Sequence, residues 1–580
     1  MNFPDFNAAL LLGAIALPLL LAAGMAQRGW RSCLLRLAPW AALPALLVMF
    51  VVPQGAAASF SWLFLGSHLG FDQTGYIYLL FTSTLWLLSG LFAQTYLVDD
   101  PKRSRFFAFY LLAMAGNFGL ILAQDLVTFY VFFSLMSFSS YVLVIHNGEN
   151  ESLRAGRIYL CLVVLGELML FAAMVTMATN ANSILLRDAI AEPMSDVTLA
   201  LLLLGFGIKA GALPLHVWLP LAHPAAPVPA SAVLSGAMIK AGLLGWIRFL
   251  PLGLEAFPQW GALVMGAGLA AAFFGALVGV TQTNPKTVLA YSSISQMGLI
   301  TIAVGVVLMV PSLWPTVLTA ILIYALHHAL AKGALFLGVG VASHAATRAQ
   351  RLWLFVGMLV PALALIGAPF TSGAIAKTAL KADFTSLPAP WADLLQIALP
   401  LAAIGTTLLM ARFLWLLWSK PSAQGHSRYG LWIAWALLLV AVALVAWVLP
   451  IANFSGHEAL KIDKIWAGLW PLALGIMAAW VALERSGRNG GIGYPRIPAG
   501  DWLALLAWAA PYATRIGRNL PNDRLIVFWK VTAASSLRAL LRLGSALRWS
   551  RMEDYLRSWS AAGMALLCIT VILYLLASAS

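Results

Sequence analysis

Charged side chains are scarce in this chain. Asp, Glu, Lys and Arg make up 10% of its 580 residues, where a soluble globular domain carries about 25%. So little charge excludes an ordinary water-soluble fold, and no polar stretch is left over for a separate soluble domain. Cysteine is nearly absent. Cys33, Cys161 and Cys568 stand far apart, with no C-x-x-C spacing to hold zinc or an iron–sulfur cluster, so they read as small apolar packing residues. Nucleotide and redox motifs are missing, and no cofactor is expected in this chain. The formal charge of +14 is scattered over short loops. That argues against nucleic acid and for the inner-leaflet charge bias of a membrane protein, with anionic lipid and other membrane subunits as partners.

What is present is apolar sequence, 62% of the chain. Runs of about 20 residues, enough to cross roughly 30 Å of hydrocarbon, recur about sixteen times. The fold class expected is an all-α polytopic membrane protein of a bacterial-type inner membrane. The first run begins MNFPDF and lacks a basic n-region, so it is expected to be a true helix rather than a signal peptide. Loops after odd-numbered spans carry Arg28, Arg31, Arg36, Lys102, Arg103, Arg105, Arg154 and Arg157, whereas residues 53–71 after the second span hold neither Lys nor Arg. The positive-inside rule therefore puts both termini on the non-cytoplasmic side.

Two spans are interrupted near their middles: the seventh at Leu213-Pro214, and the twelfth at GAPFTSGAIAKTALK, where Gly367, Pro369 and Gly373 precede Lys377. Free backbone groups at bilayer depth are tolerated only where protein or a water-filled cavity satisfies them. Broken helices five spans apart are the pattern of two inverted five-helix repeats. The organisation expected is N-terminal spans over 1–104, a first repeat over 105–250, a second over 251–420, further spans over 421–483, a basic amphipathic segment over 484–557 and a last span over 558–580. The basic segment holds twelve Lys and Arg against five Asp and Glu. From Ala499 to Arg557 it would extend about 88 Å if helical.

An ionisable group at bilayer depth costs about 2.5 to 3.5 kcal/mol and is a functional-site hypothesis by default. Lys209 sits before the first break, in mid-span, too deep to be a helix-end lysine snorkelling to an interface. His223 and Lys240 bracket HPAAPVPASAVLSGAMIK; His328 and Lys332 are four apart on one helix face; Lys377 follows the second break; Glu167 lies within LCLVVLGELMLF. The alternatives are a carbonyl-paired Lys240, a loop histidine at 223 and a neutral, hydrogen-bonded Glu167. His327 and His328 diverge by about 100°, so they cannot share a pocket, and one of them is a packing residue. A row of such groups suits proton transfer, because moving a neighbouring charge switches a buried lysine between holding and releasing its proton.

GFGIKAGALPLHVWLPLAHPAAPVPASAVLSGAMIKAG, with TVLAYSSISQMG, HALAKGALF and GAPFTSGAIAK, resembles the antiporter-like membrane subunits shared by respiratory complex I, membrane-bound hydrogenases of the formate hydrogenlyase type and multi-subunit cation/proton antiporters. The resemblance covers roughly residues 70–420 and implies that Lys209 is the central proton carrier, that Lys240 links onward and that Lys377 leads to the exit. His328 and Lys332 match that family's H-A-L-x-K pattern, and Glu167 is similar to an acidic position of some members' sixth helix. The basic segment before the last span is similar to a lateral helix. One position departs. Where the family's fifth helix reads W-E-L-M-S, this chain reads FYVFFSLMSFSSY, and Ser134 stands in place of the glutamate that pairs with the seventh-helix lysine. Asp125 is nine residues away, about 13.5 Å along a helix, too far to replace it. Glu167 or a carboxylate of another subunit are the candidates to do so.

The first reading is a proton- or cation/proton-translocating subunit of a larger complex, driven by its partners. The second is a non-pumping membrane subunit that anchors a partner, or supplies protons to it, such as an inorganic-carbon uptake protein. A haem- or quinone-binding role for His327, His328 or His344 lacks converging histidines.

Overall fold

The computed structural model describes residues 6–382, 384–419, 428–448, 459, 461–488 and 497–501. The expected lateral helix over 484–557, apart from 484–488 and 497–501, and the last span over 558–580 lie outside the described residues. The chain divides into two units, residues 1–60 with 67–499 and residues 61–66 with 500–580. The helical bundle belongs to the first.

Fourteen of the described helices are long and apolar enough to cross a membrane: Phe6–Gly24, Arg28–Val51, Gln73–Tyr96, Arg103–Leu122, Leu126–Val144, Asn150–Ala181, Asp196–Ala225, Val228–Phe249, Pro258–Val280, Pro285–Met309, Pro311–Ala342, Arg348–Ile366, Trp391–Trp418 and Ile462–Ala482. A further apolar helix, Tyr429–Val448, stands between the last two, so they are spans one to fifteen in chain order, with Tyr429–Val448 the fourteenth. The second span runs as four short pieces, because Pro39 and Pro44 cannot donate the hydrogen bonds that would fuse them.

An addition to the all-helical expectation is a small hairpin between spans two and three. Strand β1, Ala57–Phe60, pairs antiparallel with β2, Ser67–Gly70. Asp125 ties this hairpin to the bundle: its Oδ2 accepts from the backbone N–H of His68 at 2.8 Å, and its Oδ1 caps the fifth span through the N–H of Thr128 at 2.7 Å. Asp72 caps the third span in the same way, and its Oδ1 also accepts from Arg248 Nη2 at 3.1 Å.

Spans eight and eleven are wholly buried over their most apolar stretches and span ten is 94% buried, whereas span six is 39% and span fifteen 11% buried. The former three are thus the axis of the bundle and the latter part of its rim. Spans nine and ten meet backbone to backbone along Gly261, Gly268 and Gly275 on one side and Gly298 and Gly305 on the other, the close approach that small residues allow in membranes. A Cβ on Gly268 would lie 2.7 Å from Gly298 O, and one on Gly298 would lie 2.6 Å from Gly268 O. Neither carbonyl can move without unwinding a helix. Gly268→Val is therefore expected to destabilise the bundle by about 1–3 kcal/mol, read as a lower melting temperature in detergent. A surface glycine such as Gly266, whose Cβ would meet nothing within 4 Å, is the control.

Candidate functional site

The first break is built by Gly211 and Pro214. The seventh span's first half stops at Ala210, and Gly211 takes the left-handed conformation, φ +73°, so that its N–H closes on the carbonyls of Gly207 and Ile208. A side chain is disfavoured at that φ, and a Cβ there would run into Leu219. The second half resumes at Trp218, whose indole N–H donates to Ile208 O at 2.7 Å, a second bond to a carbonyl that Gly211 already engages at the break.

Lys209 lies in the last turn before this break, 2% exposed, where the helix dipole favours a cation. Its Nζ donates to Ser137 Oγ at 3.1 Å and to Tyr159 Oη at 2.9 Å, and the Tyr159 hydroxyl in turn donates to Ser137 O at 3.0 Å. The rings of Tyr159 and Phe133 lie 5.4 and 5.9 Å from the ammonium, within cation–π range. On the other side of this group, Ser134 Oγ donates to Glu167 Oε2 at 2.6 Å. Ser134 and Ser137, three apart on one face of the fifth span, are thus two hydroxyls between the Glu167 carboxylate and the Lys209 ammonium. The two charged groups do not touch, and Glu167 Oε1 has no partner. Glu167, one of the candidates for the missing fifth-span acid, is placed against Ser134. Asp125, already too far along the helix, is engaged in capping.

The eighth span contains one turn of π-helix, Leu234–Met238. Lys240 Nζ donates to Ser235 O in this turn at 2.6 Å, so the carbonyl-paired alternative describes its contact. From there a polar thread continues. Ser235 Oγ lies 2.9 Å from Ser293 Oγ; Ser293 Oγ donates to Leu289 O at 3.1 Å; and Lys332 Nζ donates to the same carbonyl at 2.8 Å. Lys240 and Lys332 thus stand at the two ends of a polar thread made of two serine hydroxyls and two main-chain oxygens, Ser235 O and Leu289 O. His328, one turn before Lys332, is buried with both ring nitrogens unpartnered, as is His223, whose ring stacks on Phe336 at 4.6 Å. His223 is buried rather than a loop histidine.

The second break has the same architecture as the first. Gly367, φ +84°, closes its N–H on Leu363 O and Ala364 O, and the helix resumes over Ser372–Lys381. Lys377 Nζ reaches back across the gap to Ile366 O at 2.6 Å. A cavity the size of about one water molecule lies beside it, among Leu299, Leu380, Lys381 and Leu399. His327 contacts this break and His328 does not: His327 Nδ1 lies 2.9 Å from Ser372 Oγ. Sequence reasoning missed Ser137, Tyr159, Ser235, Ser293 and the contact of His327. The hydroxyl-rich run YSSISQ in the tenth span was a usable signal, because a hydroxyl in an apolar helix must find a partner. Tyr159 offers no such signal.

At the end of the bundle that carries the basic loops, Asn147 Nδ2 donates to Ala225 O at 3.3 Å and Lys286 Nζ to Ala226 O at 2.6 Å, which pins the turn between spans seven and eight close to His223. Next to Asn147, His146 Nε2 lies 2.8 Å from Asp100 Oδ2.

Residues 123–392 match the family described as NADH:quinone oxidoreductase/Mrp antiporter, transmembrane. Hydrogenase-4 component B of Escherichia coli is 31% identical over 357 residues, 57% of this chain and 53% of that protein. NADH-quinone oxidoreductase subunit N of Desulforudis audaxviator is 30% identical over 311 residues, 50% of this chain and 60% of that protein. The chain thus spans about half the length of these curated relatives. Among solved structures, the Mrp complex from a Dietzia species superposes with a TM-score of 0.70 at 23% identity, over 92% of this chain and 63% of that one. That likeness extends the shared fold well beyond residues 123–392.

The Asp100–His146 pair lies outside the spans. Burial pushes the His146 imidazole below its ordinary range, and the Asp100 carboxylate offsets this only in part. For Asp100, burial pushes upward, but the hydrogen bonds from His146 and from the Lys102 backbone, with both charges, outweigh it and leave the carboxyl below its ordinary range. Both groups therefore bind fewer protons in the folded chain than in the unfolded one, so stability rises with pH. The His146 share is present above the unfolded histidine value of about 6.5 and is lost as pH falls through it. The melting temperature of the purified protein is expected to fall between pH 7.5 and 5.5, and less so in His146→Gln. An equal fall in both proteins would contradict this assignment.

Proposed function

We propose that this chain, whose residues 123–392 match the NADH:quinone oxidoreductase/Mrp antiporter transmembrane family, is the proton- or cation/proton-translocating, antiporter-like subunit of a larger complex in a bacterial inner membrane. The observation that carries this reading is the contact of Ser134 with Glu167. It supplies an acid opposite Lys209 although the fifth span has lost its glutamate, so the position is compensated rather than abandoned. Protons would pass from the Glu167–Ser134–Ser137–Lys209 group to His223 and Lys240, through Ser235 and Ser293 to Lys332 and His328, and on to Lys377. The two glycine-built breaks fit a pair of inverted five-span halves. Driving energy comes from partner subunits, whether redox proteins or a cation gradient. A subunit that only anchored a partner, such as an inorganic-carbon uptake protein, would have no use for a rebuilt acid–lysine pair.

The test is an exchange of positions. Glu167→Gln is expected to slow proton movement in vesicles about 100-fold, the order of a lost proton-transfer group. Ser134→Glu alone would set two carboxylates in contact, where they share a proton. A shared proton is held rather than relayed, and the rate falls. Ser134→Glu combined with Glu167→Gln returns the acid to the fifth span and is expected to recover most of the rate. Transport indifferent to Glu167→Gln and to Lys209→Ala would favour the non-pumping alternative.

A further inference from the structure

The end of the bundle that carries the basic loops is closed over His223 by side chains that the path above does not use. His146 lies two residues past the fifth span, with its side chain 2% exposed, and its Nε2 meets Oδ2 of the 25% exposed Asp100 at 2.8 Å. Its Nδ1 is buried without a partner. Phe106 of the fourth span sets its ring edge-on to the imidazole at 5.3 Å. The charged groups that face the imidazole are Asp100 and Lys102, in the loop before the fourth span, and Arg105 within that span. Both cations are held in place there: Arg105 Nη2 donates to His146 O at 2.8 Å, and Lys102 Nζ to Asn147 O at 3.3 Å. Asn147, next in the chain, holds Ala225 O, and Ser231 Oγ joins the same turn to His223 O at 2.9 Å. Residues 146 and 147 thus couple a surface acid–imidazole pair to the cover over a buried histidine of the row.

We propose that Asp100, His146 and Asn147 form an acid-opened latch on the turn between spans seven and eight, which admits water to His223 when His146 takes up a proton. The purpose of the latch rests on the proton-translocating reading; its opening does not. With Nε2–H donating to Asp100, the added proton goes to Nδ1, where it meets no acceptor. The closed group already disfavours a charged ring. Burial, with the Arg105 and Lys102 charges, outweighs the pull of Asp100 and holds the imidazole below its ordinary range. A ring that binds its proton more weakly closed than open shifts the balance towards the open form as pH falls. To hydrate Nδ1–H the ring leaves its slot against Phe106; Asn147 moves with it and releases Ala225 O. His223, buried with both ring nitrogens unpartnered, then comes within reach of water. The row is so supplied from this side when that side is acid and shut off when it turns alkaline.

The experiment reads the exposure of the turn directly. Ala226 is 1% exposed; an Ala226→Cys variant of the whole complex, purified in detergent, is labelled with a maleimide between pH 7.5 and 5.5, and each thiol is read by peptide mass. The exposed Cys33 serves as the reference that cancels the thiol's own dependence on pH. Labelling at 226 relative to Cys33 is expected to rise about ten-fold over this range. With His146→Gln added it stays low throughout, and with Asn147→Ala added it is high at every pH. No rise with acid, or the same rise with His146→Gln present, would overturn the latch; so would low labelling at pH 7.5 with Asn147→Ala present. Proton movement in vesicles separates the latch from the reading it serves: a Lys209→Ala variant that still moves protons, with the labelling pattern intact, removes the translocating reading and leaves the latch standing. Should Ala226→Cys not assemble, the pH–rate profile of His146→Gln decides. A profile that loses its rise with acid supports the latch, and one that coincides with the unchanged protein overturns it.

Discussion

An ammonium group inside an apolar bundle must be met by oxygen from the protein itself, and this constraint organises the interior. Ionisable groups at such depth carry a penalty of several kcal/mol unless partnered, and the carbonyls of a regular helix are largely taken by its own N–H groups. Irregular helix supplies two of the acceptors: Lys377 takes Ile366 O at a break and Lys240 takes Ser235 O in a π turn. Lys332 instead shares Leu289 O, within the regular tenth span, with the hydroxyl of Ser293. Breaks and lysines are therefore two halves of one device: the defect provides an acceptor, and the side chain satisfies a carbonyl that would otherwise be orphaned. Lys209 is different in kind. Its ammonium donates to the hydroxyls of Ser137 and Tyr159, which can turn to donate or accept, so it is the lysine of the row whose surroundings can reorganise as its charge changes.

The surrounding packing serves the same end. The polar thread runs through spans eight, ten and eleven, the three most buried spans, where hydrocarbon cannot reach it. Backbone contact between spans nine and ten through glycine leaves no room for rotation about the tenth span's axis. Ser293 and Leu289 O, both on that span, are held in register with Ser235 and Lys332. A hydroxyl chain works only at hydrogen-bond distance, so the fixed rotation of one helix sets the continuity of the thread.

Much of this was legible in the sequence, and its limits have physical causes. Pro214, Gly367 and Pro369 announce the breaks because their backbone chemistry is local. Lys209, Lys240, Lys332 and Lys377 stand out because charge in an apolar run is rare. Helix rotation was not legible: residues apolar on all sides leave no amphipathic stripe to say which face looks where. For that reason Glu167 could be named as a candidate partner for position 134 but not chosen, and the orientation of His327 towards Ser372 stayed hidden. The π turn at Leu234–Met238 was invisible too, since a pattern read at 3.6 residues per turn presumes the very regularity that fails there. The hairpin at 57–70 escaped because its strands are only four residues long.

The substitution at position 134 changes more than the owner of a carboxylate. The fifth span is 56% buried over its apolar stretch and the sixth 39%, so Glu167 rides on the helix nearer the rim. It is itself 5% exposed, but its neighbours Leu165 and Leu168 are 44% and 62% exposed. Oε1 is unpartnered while Oε2 is held by Ser134. A carboxylate so placed has one oxygen committed to Ser134 and one buried without a partner. An acid on the fifth span would stand on the same helix as Ser137. The same acid on the sixth is set against Lys209 across Ser134 and Ser137, so the two hydroxyls are part of the acid–lysine unit rather than its surroundings.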